Sequence, residues 1–544
     1  MIRKPVKKSK KKKNSKKKNT ITPAPIVHLS SFSISNFKPF GESIRSGSIH
    51  KEPDLTKFAP LTFILGKNSS GKSSIIQSLN LLSQSYKDTE GLKTLRGRGK
   101  LSNLGAFDAY VHNQNKKEKL TYSLTLDEHF TKKQQLNHHG YQFSFSDNNN
   151  NQAQLRKSAY YKDFNQPELG SKPNGGLAFD HHYMHSSDKQ KRKESACKID
   201  ISCLEDKEFP NPTVDELLNL IKSSYLKTTR KKITNKKIKN IFKHWEISTN
   251  KAGFPLQLGV PLSPDKKAID KLIKNLRSNI QPFVETDRAL KNIIDKLRNP
   301  LRAFFDRYEY IGPSRDVPTR TQVKQTSNAI SVGVSGEQAT DILLDNEDTI
   351  LNTMNGILDI LKVPYEIAIR NYSDIKIEST YSIVLKDKRS NVTVSTYDVG
   401  FGIFQFIPVI VQGLFPSRNI ITCEQPEIHL HPALVADLAD FFIETSNLSI
   451  EKRIFDLPDE FIDSKKFIFG NQWIIETHSE LLIRRVLKRI REGKIKKTDV
   501  SVLYVEPSTS KNKSAQILEL RIDDDGEFID RWPDGFFDEA LNEL

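Results

Sequence analysis

The sequence predicts an α/β protein, a mixed sheet with flanking helices around a phosphate-binding loop, with an inserted, mainly helical basic lobe. Three observations carry this. First, Gly66-Lys67-Asn68-Ser69-Ser70-Gly71-Lys72-Ser73 fits G-x-x-x-x-G-K-[ST]. It follows the apolar run Leu61-Thr62-Phe63-Ile64-Leu65 and precedes apolar residues at helical spacing from Ser74 onward. Second, two later apolar runs, Asn419 to Glu427 and Trp473 to Ser479, end in carboxylates and a histidine. Third, residues 213–307 switch to amphipathic helical patterns rich in lysine.

A chain of 544 residues is too long for one compact core. The composition divides it into a basic tail (1–24), a first part of the nucleotide-binding head (25–130), a polar loop and strand insertion (131–212), the helical basic insertion (213–307) and the rest of the head (308–544). Ten lysines and Arg3 within residues 1–20 supply most of the net charge of +18. Such a Lys/Ser/Asn run buries nothing and is expected to be disordered. A nucleic-acid arm and a solubilising tail both remain open for it. Cys197, Cys203 and Cys423 are too few and scattered for a disulfide framework, so a reducing compartment fits. The basic N-terminus lacks the apolar core of a secretory signal, and the longest apolar run, from Gly402 to Phe415, is too short to span a bilayer. A cytoplasmic protein without a membrane segment is expected.

In chain order, Ile26 to Leu29 and Phe32 to Phe37 alternate as strands feeding the sheet of the phosphate loop. In that loop Gly66 and Gly71 let the backbone turn so that N–H groups point at phosphate oxygens, and the helix behind adds its positive end. Lys72 is placed to reach the β- and γ-phosphates of a nucleoside triphosphate and Ser73 to hold Mg2+, with Ser74 alongside. Leu104 to His112 reads as a loop near the nucleotide, and Leu120 to Leu126 as a strand. Residues 130–195 have the composition of solvated loops. The histidines His138, His139, His181, His182 and His185 lie there without a cysteine, so no metal site is expected. Lys227 to Lys243 gathers eight cations with no acid between them, a face suited to DNA, RNA or an acidic protein. Ala339 to Leu361 reads as one helix, and residues 364–396 as a β-meander.

The strand Asn419 to Cys423 delivers Glu424, which can supply the second protein anchor for Mg2+ opposite Ser73. The strand from Trp473 ends at His478, which could meet the γ-phosphate. Gln425 and Glu427 follow Glu424 in the next turn.

The order of these motifs, with Glu424-Gln425-Pro426-Glu427-Ile428-His429-Leu430-His431-Pro432 and Thr477-His478-Ser479, resembles ABC-type ATPases of the SMC, RecF and OLD group. Tyr310-Ile311-Gly312-Pro313-Ser314-Arg315 and Trp532-Pro533-Asp534-Gly535-Phe536-Phe537-Asp538-Glu539 are similar to stretches of bacterial defence ATPases, in particular the PtuA family of Septu systems, some carried by retrons. The resemblance spans about residues 28–125 and 308–544 and leaves the middle lobe unmatched. It implies an ABC-type head that binds ATP and Mg2+ and pairs head-to-tail, each ATP lying between one P-loop and the partner's signature helix. Asp398, Gly400 and Gly402 stand where that signature belongs. Asp398 departs from the usual Ser. Gln425 departs from the usual Glu, and an amide cannot take a proton from the attacking water. Slow hydrolysis and a long-lived ATP-bound dimer are the expectation.

Two functions stay open on this basis. One is an anti-phage ATPase that holds or gates a partner HNH nuclease (PtuB-like), with a reverse transcriptase and msDNA as further partners if a retron is involved. The other is a RecF- or SMC-like repair ATPase acting on DNA without a toxic partner. A transporter's nucleotide-binding half is disfavoured, because nothing resembles an LSGGQ helix and the spacing from Ser73 to Glu424 exceeds what a compact head needs.

Overall fold

The computed structural model describes residues 26–41, 56–89, 91–130, 135–162, 298–316, 329–372, 380–395, 402–415, 418–446, 470–509 and 513–533, with shorter pieces between 177 and 323. The basic tail, Asp398, Gly400, Lys227, Lys243 and residues 534–539 lie outside the described residues.

The P-loop strand is central because both its faces are covered. Strand β3 (Leu61–Leu65) is buried at every position. It lies in a six-stranded sheet of order β11-β16-β17-β3-β18-β19, where β11 is Tyr308–Ile311, β16 Ile420–Glu424, β17 Gln472–Glu476, β18 Val500–Glu506 and β19 Gln516–Glu519. All neighbours pair in parallel except β19, which runs antiparallel at the edge. Near-continuous apolar strands are what a sheet covered on two faces requires. Leu61, Phe63 and Leu65 join one core, and Ile64 joins the other.

The first core packs helix α1 (Lys72–Thr89), through Ile75, Ile76, Leu79 and Leu82, against a nine-stranded antiparallel sheet. Its order is β10-β9-β8-β7-β6-β5-β4-β1-β2. Here β1 is Ile26–Ser35, β2 Thr56–Lys57, β4 Leu120–Phe130, β5 Gln135–Asp147, β6 Ala153–Lys162, β7 Leu177–Tyr183, β8 Ser195–Ile199, β9 Glu246–Thr249 and β10 Pro255–Gly259. The second core holds α3 (Ala339–Asp345), α4 (Asn352–Ile360), α5 (Gly402–Leu414), α6 (Pro432–Ser446) and α7 (Glu480–Arg491). The four-residue α2 (Phe107–Tyr110) sits between α1 and β4 in sequence. A small third sheet joins β12 (Gln322–Val323), β13 (Tyr365–Asn371), β14 (Thr380–Asp387) and β15 (Thr393–Ser395).

Several expectations are corrected. The runs from Ile26 and Phe32 form one strand, β1, which belongs to the nine-stranded sheet and not to that of the P-loop; its register shifts between Leu29 and Ser31. The stretch 130–195 holds long paired strands, not mainly loops, because Tyr141, Phe143, Phe145 and Tyr160 alternate inward among polar residues. Phe107 and Tyr110 anchor α2 in the core, so Leu104 to His112 is not a plain loop. The single helix expected over 339–361 is broken into α3, a π-turn at Glu347–Leu351 and α4. The helices expected within 213–307 fall mostly outside the described residues, which there include helical residues at 218–219, 221–223 and 298–306 and the β9–β10 hairpin.

Gln472 ties the two large sheets together. Its amide accepts from Leu29 N–H at 2.7 Å and donates to the carbonyls of Leu29 at 2.7 Å and Ala59 at 3.0 Å. Beside it, the His28 ring bonds the Gly470 carbonyl at 3.2 Å. Burial, reinforced by the nearby His129, pushes the His28 pKa down to about 4. The folded protein therefore keeps His28 neutral. Its contribution to stability is full above the unfolded value of 6.5 and is lost as pH falls from 6.5 towards 4. Urea titrations are expected to show a fall of up to about 3 kcal/mol over that window, and His28→Gln a shallower one. Equal slopes for the two proteins would remove His28 as the cause.

Candidate nucleotide site

The P-loop has the backbone its sequence demands. Gly66 and Gly71 adopt φ values of +145° and +110°. A Cβ on Gly66 would lie 2.6 Å from the Val505 carbonyl oxygen, and one on Gly71 2.6 Å from Pro39 Cγ. Side chains are excluded at both positions by strain and by contact. Lys67, Asn68 and Ser69 are exposed, whereas Ser70, Lys72 and Ser74 are buried. Ser70 Oγ has no hydrogen-bond partner among the described residues. Lys72 Nζ donates to the carbonyls of Gly66 at 3.0 Å and Lys67 at 2.8 Å. Burial lowers its pKa, and Glu476 opposes that shift. A cradle closed to side chains, an orphaned hydroxyl and a desolvated ammonium together fit a phosphate chain.

Opposite the loop, adjacent strands present carboxylates. Glu424 ends β16 and Glu476 ends β17, in direct register. Because β17 lies between β3 and β16, Glu476 is nearer the P-loop strand in the sheet order. Ser73 Oγ accordingly donates to Glu476 Oε1 at 3.0 Å, while Glu424 Oε1 accepts from the Tyr310 hydroxyl at 2.8 Å. Glu427 Oε1 accepts from the backbone N–H of His478 at 2.8 Å. Burial, then repulsion from Glu476, pushes the Glu424 pKa up to about 7. Burial likewise raises Glu427 and Glu476, and it lowers His478 with help from Lys72. Glu427 Oε2 and Glu476 Oε2 are buried without partners among the described residues.

Crowded, under-bonded carboxylates beside a P-loop serine suit a hard cation. Among the described residues, no group of three or more His, Cys, Asp or Glu side chains could hold a metal ion by itself. Mg2+ bound through one or two carboxylates together with nucleotide phosphates matches that donor set. Ser73, Glu424 and Glu476 would hold it, and its charge would offset that of the phosphates.

The turn after Glu424 is strained. Gln425 has φ +47° and His429 φ +62°. Gln425 N–H donates to the Glu476 carbonyl at 2.8 Å, which pins the turn to β17. Gly402 opens α5, and its neighbours are His429 and Leu430, not P-loop atoms. Three residues with no role assigned from the sequence join the site. Glu476 was hidden beside His478. Lys38 donates to Gln77 on α1 and feels the charge of Glu424. Arg315 donates to the Glu424 carbonyl at 2.8 Å. The strand-end position of Glu476, matching that of Glu424, was the available signal for the first.

The family described as "AAA ATPase domain" matches residues 28–483. The chain belongs to this family. The head is thus a P-loop ATPase fold, and this AAA ATPase carries an ATP-binding domain. A second family, described as "Protein of unknown function (DUF3696)", matches residues 495–544. No curated protein matches the chain. Similar solved structures include the Smc head domain with an extended coiled coil bound to the C-terminal domain of ScpA from Pyrococcus furiosus. It has 10% identity and a TM-score of 0.33, covering 95% of this chain and 99% of that one. Another is the Smc head domain with a coiled coil and joint from Pyrococcus yayanosii, with 10% identity and a TM-score of 0.34, covering 91% and 97%. Among the described residues of this AAA ATPase, no helix is long and apolar enough to cross a membrane.

Proposed function

We propose that this AAA ATPase is a slowly hydrolysing nucleotide clamp that dimerises around ATP and Mg2+ and holds or gates an HNH nuclease in an anti-phage defence complex. The observation that carries the proposal is the Glu424–Gln425 turn. A buried carboxylate for Mg2+ is followed, at a strained position, by an amide that cannot act as a base. ATP binding then outlasts turnover, which suits a clamp better than a motor. The Tyr310–Arg315 stretch, which resembles Septu ATPases, meets at this turn the Glu424–Pro432 segment, which resembles OLD-like ATPases, since Tyr310 bonds Glu424 and Arg315 bonds the carbonyl of Glu424. That convergence supports assigning both to one function. Head-to-tail pairing through Asp398, Gly400 and Gly402, catalytic work by His478 and Glu427, and contacts of the 227–243 region with DNA, RNA or msDNA belong to the same proposal.

Native mass spectrometry of the tagged protein, purified from its own host with Mg2+, tests it. An even-numbered oligomer retaining ATP together with a small nuclease is the expected result. A nucleotide-free monomer without a companion, whose turnover DNA junctions stimulate, would replace it with the repair ATPase.

A further inference from the structure

Helix α5 carries two glutamines, Gln405 and Gln412, inside an otherwise apolar sequence, and both are buried. Neither is a packing residue. Gln405 Nε2 donates to the Arg315 carbonyl at 2.9 Å, and Gln412 Oε1 accepts from Val332 N–H at 2.9 Å. The same stripe of the helix is keyed by two close approaches. A Cβ on Gly402 would stand 2.3 Å from the His429 carbonyl oxygen, and one on Gly336 would stand 2.4 Å from Pro408 Cγ. Positions 402, 405, 408 and 412 follow helical spacing, so one face of α5 is fitted to the loops around the carboxylate strand.

One of these keys leads directly to the chemistry. Arg315 is 3% exposed. Its Nη2 donates to the Glu424 carbonyl at 2.8 Å and reaches Cys423 Sγ at 3.4 Å; Nη1 lies 3.5 Å from the Gln425 carbonyl. The guanidinium spends itself on backbone and sulfur atoms rather than on a carboxylate. Its planar fork thereby fixes where two successive peptide groups point. Those peptides set the direction of Glu424 and the positive φ of Gln425. The chain of contacts runs from Gln405 through the Arg315 backbone and guanidinium to the Glu424–Gln425 turn, and Gly402 touches the far end of the same turn at His429.

We propose that Arg315 is a positioning residue that couples α5 to the Glu424–Gln425 turn, with Gln405 as its lever. A shift of α5 moves the Arg315 carbonyl and redirects the carboxylate and amide that serve the P-loop of the same chain. This rests on the proposed dimer, in which a partner's nucleotide meets the N-terminal end of α5. The arrangement makes the two ATP sites dependent on each other.

Gln405→Met keeps side-chain volume and helix propensity but removes the lever. Gln412→Met removes buried hydrogen bonds to Val332 N–H and the Phe415 carbonyl, which lead away from the turn, and so reports the purely structural effect. The full-length protein is followed by Mg-ATP affinity, by single-turnover hydrolysis, and by hydrogen exchange of amides 424–430. Gln405→Met is expected to bind Mg-ATP within about 2-fold of wild type yet hydrolyse it about 10-fold more slowly, because it loses orientation rather than binding. It is also expected to lose the nucleotide-dependent protection of 424–430. Gln412→Met should retain both rate and protection. Arg315→Lys, which keeps the charge without the fork, should reproduce Gln405→Met and gives a second route if that variant folds poorly. Equal behaviour of Gln405→Met and Gln412→Met, fast or slow, overturns the coupling and leaves the ATPase reading standing. A wild-type protein that neither binds nor hydrolyses Mg-ATP overturns both.

Discussion

Replacing Gln425 by glutamate is expected to raise the rate of ATP hydrolysis by about 10²-fold. The amide can orient a water molecule but cannot accept its proton, whereas a carboxylate at the same position can do both. The backbone favours a like-for-like exchange. Gln425 already sits at φ +47°, pinned by its N–H bond to the Glu476 carbonyl, so glutamate inherits the same strain and the same anchor. Electrostatics limits the gain. The new charge joins Glu424, Glu427 and Glu476, all of whose pKa values are already raised. The acceleration should therefore appear only with Mg2+ present, and the metal-free variant should be less stable than wild type. Steady-state phosphate release at saturating Mg-ATP is the measurement. A rate unchanged from wild type would mean that the proton leaves by another route, with Glu427 or His478 the next residues to replace.

Much of this site could be foreseen because its parts are local. A buried strand, a glycine-rich turn and an amphipathic helix lie within residues 61–89, so spacing alone places Lys72 and Ser73. The strand-end carboxylate of β16 is legible for the same reason. What could not be foreseen is pairing across the sheet. Ser73 and Glu476 are 403 positions apart, and only the insertion of β17 between β3 and β16 decides which carboxylate meets the serine. Composition also misled where polar residues mask alternation. Tyr141, Phe143 and Phe145 face one core of a sheet whose other residues look like loop. Helix 339–361 breaks near Asn346, whose side chain turns back to the Ile342 carbonyl at 2.9 Å, a competition with helical bonding that periodicity does not register. Gln405 and Gln412 appeared only as interruptions of an apolar run, since their partners lie in distant loops.

The largest loss is expected from Lys72→Met, which should weaken ATP binding by about 10³-fold, in line with the 2–5 kcal/mol or more that a truncated, desolvated charge contact costs. Lys72 is 4% exposed as a residue, and the hydrogen bonds of its ammonium go to two loop carbonyls. Burial already lowers its pKa, so the charge is poorly solvated until an anion arrives. Removing it leaves the phosphates facing Glu424, Glu427 and Glu476 with only backbone N–H groups, the α1 N-terminus and a cation to hold them. The two carbonyl bonds also steady Gly66 at its unusual φ, so a second cause of weak binding is a loosened loop. Thermal melting separates the two. A nucleotide-free variant that melts as wild type but binds poorly has lost charge alone. A variant that also melts early has lost the loop. Salt gives a further check, because attraction between the Lys72 ammonium and a tetra-anion weakens as ionic strength rises. Wild-type affinity should fall with added NaCl more steeply than that of the variant. Parallel salt curves would show that the backbone cradle, not Lys72, dominates phosphate binding in this AAA ATPase.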